Sequence, residues 1–348
     1  MGGGQGAQPP RRLGKMVTLS DVAREAGLSP AAVSRHLNGR LDLPVASRAR
    51  VAAAVERLGY RADRLARRLS TGHAEVIGLA TPDIGNPFFA VLAAAIEAEA
   101  GRRGYVVSIA STGGDETREV EAVRRLAERQ VDGLILMIQE PGAGHLAKAL
   151  RGSTRVVLLD EDLPGLTLPR IFVDNEGGAH TGTGHLLDHG HRSVAYVGGP
   201  PGACTSVERR RGWLRAHVER GLTPGALLEG RYTRDFGYEA GMALMRSAQP
   251  PSSVMAGADA IAIGLIQAAR CVGFQVPADL SVVAFDDSPL SDVVDPPLTT
   301  LRQPVAELGC AAVNAVVQLF ERTSNNAETR LPVELVERRS VAPPRPSC

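Results

Sequence analysis

The chain has 348 residues, 44% of them apolar and 22% charged, with a formal net charge of +1. That length favours two or three domains, each able to bury a proper core, and excludes a disordered chain. No stretch approaches the roughly eighteen consecutive apolar residues of a membrane span. Cys204, Cys271, Cys310 and Cys348 are isolated, which argues against both a disulfide framework and a structural zinc site.

The opening stretch, MGGGQGAQPPRRLGK, lacks the apolar core of a signal peptide and reads as a flexible arm over residues 1–15, so a cytoplasmic protein is expected. Charge is unevenly spread: residues 1–70 carry thirteen Arg or Lys against five Asp or Glu, a net of +8 that leaves −7 for the remainder. A basic head on an acidic body points to a polyanionic partner for the head. Thr18 and Asp21 have capping-box spacing and predict a helix over Leu19 to Ala26, with Val22, Ala23 and Ala26 facing inward. Gly27 fits the left-handed position that ends it, Ser29 is a second N-cap, and Pro30 takes a first helical position where its missing N–H costs nothing. This second helix runs to about Leu37, before Asn38-Gly39. Pro44 opens a third, with Val51, Val55 and Leu58 on one face and Gly59 as its stop. Two helices joined by a tight Gly-containing turn match the helix-turn-helix plan, in which the second helix enters the DNA major groove. Ser29, Pro30, Ala31, Ser34 and Arg35 form its exposed set, while Ala32, Val33 and Leu37 supply packing or methyl contacts.

Residues 63–70, DRLARRLS, read as a basic amphipathic linker able to become a helix. From Val76 onward short apolar runs alternate with longer amphipathic stretches: VIGLAT, YVVSIAS, VDGLILMI, RVVLLD, SVAYVGG, SVMAG and LSVVAFD. Continuous Val/Ile/Leu runs separated by helices predict parallel strands covered on both faces, in too many units for one compact sheet. The expected fold is therefore a small all-α helix-turn-helix head plus an α/β body of two doubly wound parallel-sheet lobes. A ligand cleft is expected at the carboxyl ends of the strands, where Asp83, Asn86 to Phe89, Asp160, Asp286 and Asp287 fall. GTGHLL at residues 182–187 is half a dinucleotide fingerprint without its third Gly, and His189 and His191 have no apparent third metal ligand nearby. No GxSxG or HExxH occurs, so no catalytic residues, metal or cofactor are assigned.

VTLSDVAREAGLSPAAVSRHLNG, LGYRADRLARRLSTG, IGLATPDIGNPFF, DHGHRSVAYVGGP and VPADLSVVAFDDSPLSDVVDPPLTTLRQP together resemble the lac repressor and galactose repressor family of bacterial transcription regulators. The resemblance spans about residues 16–340. It implies a dimeric repressor whose head, residues 16–62, binds a near-palindromic operator. A hinge at 63–75 follows, then a two-lobed body at 76–340 similar to periplasmic sugar-binding proteins, and a tail at 341–348. The N lobe is expected at about 76–174 and 302–325, the C lobe at about 175–301 and 326–340. By position, Pro30 and Ala31 stand where base-reading side chains usually lie, with Ser34 and Arg35 at base and phosphate contacts; Thr18, Ser29 and Asn38 complete the DNA-facing set. Pro30 and Ala31 carry no side-chain donors, so Arg35 and groove shape should matter more. In the hinge, Leu69 falls where the family wedges a Leu into the minor groove, with Arg64, Arg67 and Arg68 on phosphates. The family's usual Pro and Asn at the hinge entry are Ala62 and Asp63 here.

In the body the resemblance places Phe88, Phe89, Asp160, Thr205, Arg209, Tyr232 and Asp286 around an effector. A carboxylate and a guanidinium can each hold neighbouring hydroxyls while an aromatic ring covers an apolar sugar face, so a sugar or related polyol is expected. Nucleobase-binding members share the fold, and the two Phe would suit stacking on a base. The family's Asn before Asp259 is Ala258, which removes a hydroxyl-binding amide. Two other readings are a transporter's solute-binding protein, disfavoured by the missing signal peptide and the basic head, and an α/β enzyme. The tail after Phe320 shows no Leu heptad for a tetramerising coil, so a dimer is expected.

Overall fold

The computed structural model describes residues 17–37, 41–60, 73–139, 144–321 and 328–345, in two units, Met1–His73 and Ala74–Cys348. The first unit holds α1 (Leu19–Ala26), α2 (Pro30–Leu37) and α3 (Val45–Leu58). The capping box forms as its spacing predicts: the Asp21 amide donates to the Thr18 hydroxyl at 3.3 Å, and the Thr18 amide donates back to the Asp21 carboxylate at 3.0 Å. Gly27 takes a φ of 63°, which lets the amide of Leu28 reach the Ala23 carbonyl at 3.0 Å and closes the helix without a Cβ clash. Ser29 accepts the Ala32 amide at 3.2 Å and so starts α2 two residues after the turn. Val22, Ala23, Ala26, Val33, Val51 and Ala54 make the core of this unit. Leu37, expected among the packing or methyl-contact residues, is exposed.

The second unit begins with β1 (Val76–Thr81), α4 (Pro87–Arg102), β2 (Val106–Ser111), α5 (Glu116–Ala127), β3 (Gly133–Leu136), α6 (His145–Leu150), β4 (Val156–Leu159) and β5 (Arg170–Val173). It continues through α7 (Asn175–Asp188), β6 (Ala195–Gly198), α8 (Cys204–Glu219), β7 (Leu227–Glu229), α9 (Arg234–Met245), β8 (Ser253–Ala256), α10 (Asp259–Cys271), β9 (Ser281–Asp286) and β10 (Thr299–Arg302). Last come α11 (Val305–Phe320), β11 (Glu328–Leu331) and β12 (Glu334–Val336). Two six-stranded sheets result, ordered β11-β5-β4-β3-β1-β2 and β12-β10-β9-β8-β6-β7. Among the described residues all pairings are parallel except β10 with β12. Helices between successive parallel strands cover both faces, which is why β3, β4, β6, β8 and β9 are buried along their whole length.

The described chain passes between the sheets at three places: from β5 into α7, from β10 into α11, and from β11 into β12. The last passage corrects a boundary. Residues 326–340 were expected together in the second lobe, but Glu328 to Leu331 pair in parallel register with Arg170 to Val173 and so complete the first sheet. Arg302, expected to start the returning segment of the first lobe, is the final residue of β10 in the second sheet. None of the described helices is long and apolar enough to cross a membrane.

Candidate functional site

In the head, Ser29, Pro30, Ala31 and Arg35 are exposed along the first turns of α2, while Ser34 is half-buried. Arg35 folds back along the helix, its Nε donating to the Ala31 carbonyl at 3.3 Å. Thr18, a candidate DNA contact, spends its hydroxyl on the helix cap, donating to Asp21 at 2.7 Å. Asn38, Arg64, Arg67, Arg68 and Leu69 lie outside the described residues.

In the body, the seven side chains assigned from resemblance meet in one cavity of about 30 Å³: Phe88, Phe89, Asp160, Thr205, Arg209, Tyr232 and Asp286 all line it. They arrive from both lobes. Asn86 caps α4 by accepting the Phe88 amide at 3.0 Å, and this turn delivers Phe88 and Phe89, whose rings meet edge to face at 5.4 Å between centroids. Asp160 follows β4, and α8 presents Thr205 and Arg209 one turn apart on one face. Tyr232 precedes α9, and Gly199 makes room for it: a Cβ there would collide with the Tyr232 ring. The Tyr232 hydroxyl lies 3.3 Å from that of Thr205. On its far side a second chamber of about 350 Å³ opens, shared with Asp83, Pro87, Ile263 and Leu290.

Backbone strain collects here. Asp160, Asp286 and Asp287 have φ of 62°, 119° and 57°, left-handed values that an L residue adopts at a cost of order 1–3 kcal/mol each. All three sit just at or past the carboxyl ends of β4 and β9, where the twist aims two carboxyl groups at the cleft.

Arg209 is the centre of the electrostatics. It is 3% exposed, donates from Nε to Asn175 Oδ1 at 2.8 Å and from Nη1 to the Gly257 carbonyl at 2.6 Å, and lies 3.8 Å from Asp286. Burial works against its charge, yet Tyr232, Asp286 and Asp160 outweigh that and hold its pKa above the ordinary value. Burial lifts the Asp160 carboxyl to about 6 against the pull of Arg209, and its Oδ1 is enclosed with no hydrogen-bond partner among the described residues. Burial also raises Asp286 well above the usual carboxylate range, again opposed by Arg209, while Gln303 donates to its Oδ1 at 2.8 Å. A buried acceptor facing a cavity favours a ligand that brings hydroxyl or amine donors.

Ala258 lies on the cavity wall with no polar atom to offer beyond its backbone, as its sequence position implied. Asp259 beside it faces away and is fully engaged, accepting from the Ser288 amide and the Ser291 and Thr300 hydroxyls at 2.6, 2.6 and 2.7 Å. Met137, Ile138, Gln139 and Leu159 also line the cavity and Asn175 orients Arg209; no motif pointed to them. Asn175 carried a faint signal, since it opens a helix directly after a strand. Among the described residues no group of three or more His, Cys, Asp or Glu could hold a metal ion.

A helix-turn-helix head followed by a two-lobed binding body with a polar, aromatic-rimmed cleft defines the class of ligand-responsive DNA-binding regulators. Residues 18–63 match the model for bacterial regulatory proteins of the lacI family, and residues 183–341 match the periplasmic binding protein-like domain. Catabolite control protein A of Priestia megaterium is 32% identical over 328 residues, covering 93% of this chain and 99% of that protein. The lac repressor dimer bound to operator and the anti-inducer ONPF superposes with a TM-score of 0.83 at 29% identity, over 94% of this chain and 100% of that one. The complex of the regulator CelR with cellobiose gives 0.70 at 26% identity, over 93% and 99%. The chain belongs to the lacI family of bacterial transcription regulators and is a DNA-binding repressor with an effector-binding domain.

Proposed function

We propose that this regulator binds operator DNA as a homodimer and that a sugar or related polyol, held in the cleft, sets its operator affinity. One observation carries the reading: Asp160, Arg209 and Asp286 converge with Phe88, Phe89 and Tyr232 on a single cavity between the lobes. Charged hydrogen-bonding groups can hold vicinal hydroxyls while the aromatic rings cover the apolar ring face. A ligand too large for the inner cavity has room beyond Tyr232. The loss of the amide at Ala258 favours an effector without a hydroxyl at that point. The cellobiose complex among the structural neighbours supports a sugar. The operator-bound dimer supports the assembly, as do the exposed apolar side chains Ile84, Val91, Val106 and Ile109 of the first lobe.

Effector coupling follows from differential affinity: a ligand that binds one lobe geometry better shifts the population toward it, by no more than that difference. Ser29, Pro30, Ala31, Ser34 and Arg35 read the major groove, Thr18 and Asn38 flank them, and Arg64, Arg67, Arg68 and Leu69 act at the hinge. The protein works in the cytoplasm and is a binder, not an enzyme.

The test is a thermal-shift screen of sugars, nucleosides and their phosphates on the full chain. A ligand at 100 times its Kd adds roughly 2.7 kcal/mol of stability. A neutral sugar as the strongest hit supports the reading; a nucleoside as the strongest hit moves it to base stacking on Phe88 and Phe89, and no hit across the panel overturns it.

A further inference from the structure

Beyond the cleft, charged groups gather on a strip that joins the two lobes. Glu161, in the loop after β4 of the first lobe, is 1% exposed. Its Oε1 accepts the amide of Asp162 at 2.9 Å and that of Cys204 at 2.8 Å. Cys204 is the first residue of α8 in the second lobe, and the N-cap of that helix, Ala203, has no side-chain acceptor to offer. The cap is thus supplied from the opposite lobe. One turn further along α8, Glu208 receives both ends of the Arg330 guanidinium from β11 of the first lobe, at 3.0 and 2.8 Å. Arg330 stacks on Phe172 at 4.9 Å and donates to Glu328 at 2.7 Å, while Arg170 joins Asp162 at 2.7 Å and Glu328 at 3.4 Å.

The first lobe therefore grips α8 at positions 204 and 208, and the cleft uses positions 205 and 209 of the same two turns. We propose that Glu161 and Arg330 form a latch on α8 that holds the second lobe against the first, so that parting the lobes to admit effector requires the latch to release. The proposal rests on the effector reading of the cleft. Any movement of α8 that breaks the grip also moves Thr205 and Arg209, which couples the latch to the ligand without a separate relay. The latch is also costly to hold. The Oε2 of Glu161 is buried with no hydrogen-bond partner among the described residues, so its enclosure offsets much of what the Cys204 amide contributes. Around the Glu161 and Cys204 contact stand Asp160 and Asp162 from the loop, Glu208 from α8 and Arg330 from β11, with Arg170 behind Asp162. Burial first, then Asp160 and Asp162, push the Glu161 carboxyl up to about 8 despite its two amide donors. With the carboxyl raised by its enclosure, release is expected to give up a proton, so mild acid should favour the latched form.

Cys204 reports on the latch through its exposure: it is half-buried and burial pushes its thiol up to about 12, and because Arg330 draws that pKa down, removing Arg330 without release would slow labelling rather than speed it. Iodoacetamide labelling of the full chain, read by peptide mass spectrometry, gives its rate against exposed Cys271 and half-buried Cys310. Arg330→Ala is expected to raise the Cys204 to Cys271 ratio roughly tenfold, equivalent to about 1.4 kcal/mol of latching, with Cys310 unchanged. Arg330→Lys, which keeps the charge but not the fork, is expected to fall between. An unchanged Cys204 ratio in Arg330→Ala overturns the latch, as does a parallel rise at Cys310, which would mean general loosening. The labelling needs no effector, so a ligand screen without a hit removes the effector reading while the latch is judged on its own result.

Discussion

The guanidinium carbon of Arg209 lies 3.8 Å from the centre of the Phe285 ring, beneath the cleft, while its Nη1 is bonded to the Gly257 carbonyl. Stacking fixes the plane of the guanidinium, and the two hydrogen bonds fix its rotation, so the group is set before a ligand arrives. Arg209→Ala leaves Asn175, the Gly257 carbonyl and Asp286 short of a partner. It is expected to cost about 3–5 kcal/mol of stability, as for other broken buried pairs. Urea unfolding followed by the fluorescence of Trp213, the single tryptophan and one turn away on α8, measures this. A loss under 1 kcal/mol would remove Arg209 from the centre of the site.

Glu161 makes stability depend on pH in a defined direction. Its folded pKa is raised from 4.5 to about 8, so the folded protein binds the proton more tightly than the unfolded chain. That contribution is complete below about 4.5 and is lost as pH rises through about 8. His185, His191 and His217 act oppositely: burial lowers their pKa below 6.5, so stability falls as pH drops through that range. Above pH 6.5 the histidines oppose it least, and the raised Asp286 carboxyl is common to both proteins, so between pH 6.5 and 8 Glu161→Gln should remove at most about 2 kcal/mol of pH-dependent loss. Matched melts of the two proteins across that window check it; parallel slopes would refute it.

Gly199 is the space in which the Tyr232 ring sits. Gly199→Ala displaces that ring and breaks the contact between the Tyr232 and Thr205 hydroxyls. The expected result is at least a tenfold loss of effector affinity, about 1.4 kcal/mol, with the circular dichroism spectrum retained. Calorimetry with the strongest binder from the sugar screen decides it, and an unchanged Kd would show that Tyr232 does not meet the ligand.

On the DNA side, Arg35→Ala is expected to cost on the order of 1–3 kcal/mol of operator affinity. Pro30 and Ala31 beside it carry no side-chain donors, so the proposed polar readout falls mainly to Arg35. Gel-shift titrations on duplexes selected from random sequence measure this. The wild type should also lose affinity steeply with salt, because each neutralised phosphate releases counterions.

The head was legible almost residue by residue because its signals are local: Thr18 with Asp21, Gly27, Ser29 and Pro30 each act within one turn. In the body, β1, β2, β3, β4, β6, β8 and β9 announced themselves as continuous apolar runs, although β2 at the sheet edge is largely exposed rather than covered on both faces. β5, β7, β10, β11 and β12 did not, since RIFV, LLE, TTLR, ETRL and ELV each carry a charged residue at an end or within and so form no continuous apolar run. The edge strand β11 owes its place to pairing with β5, 158 residues earlier, and no local pattern encodes that. The cleft residues came from resemblance, and the cavity unites them. Glu161 and Arg330 escaped notice because only the passages between sheets bring them to α8.

Because β11 pairs with β5 only after the chain has built nearly all of the second lobe, the first sheet cannot be completed in order of synthesis. On the ribosome, β5 leaves the tunnel early and keeps an open edge until residues 328–331 emerge. Neither lobe corresponds to one continuous stretch of gene, so no single cut in the chain separates one lobe from the other.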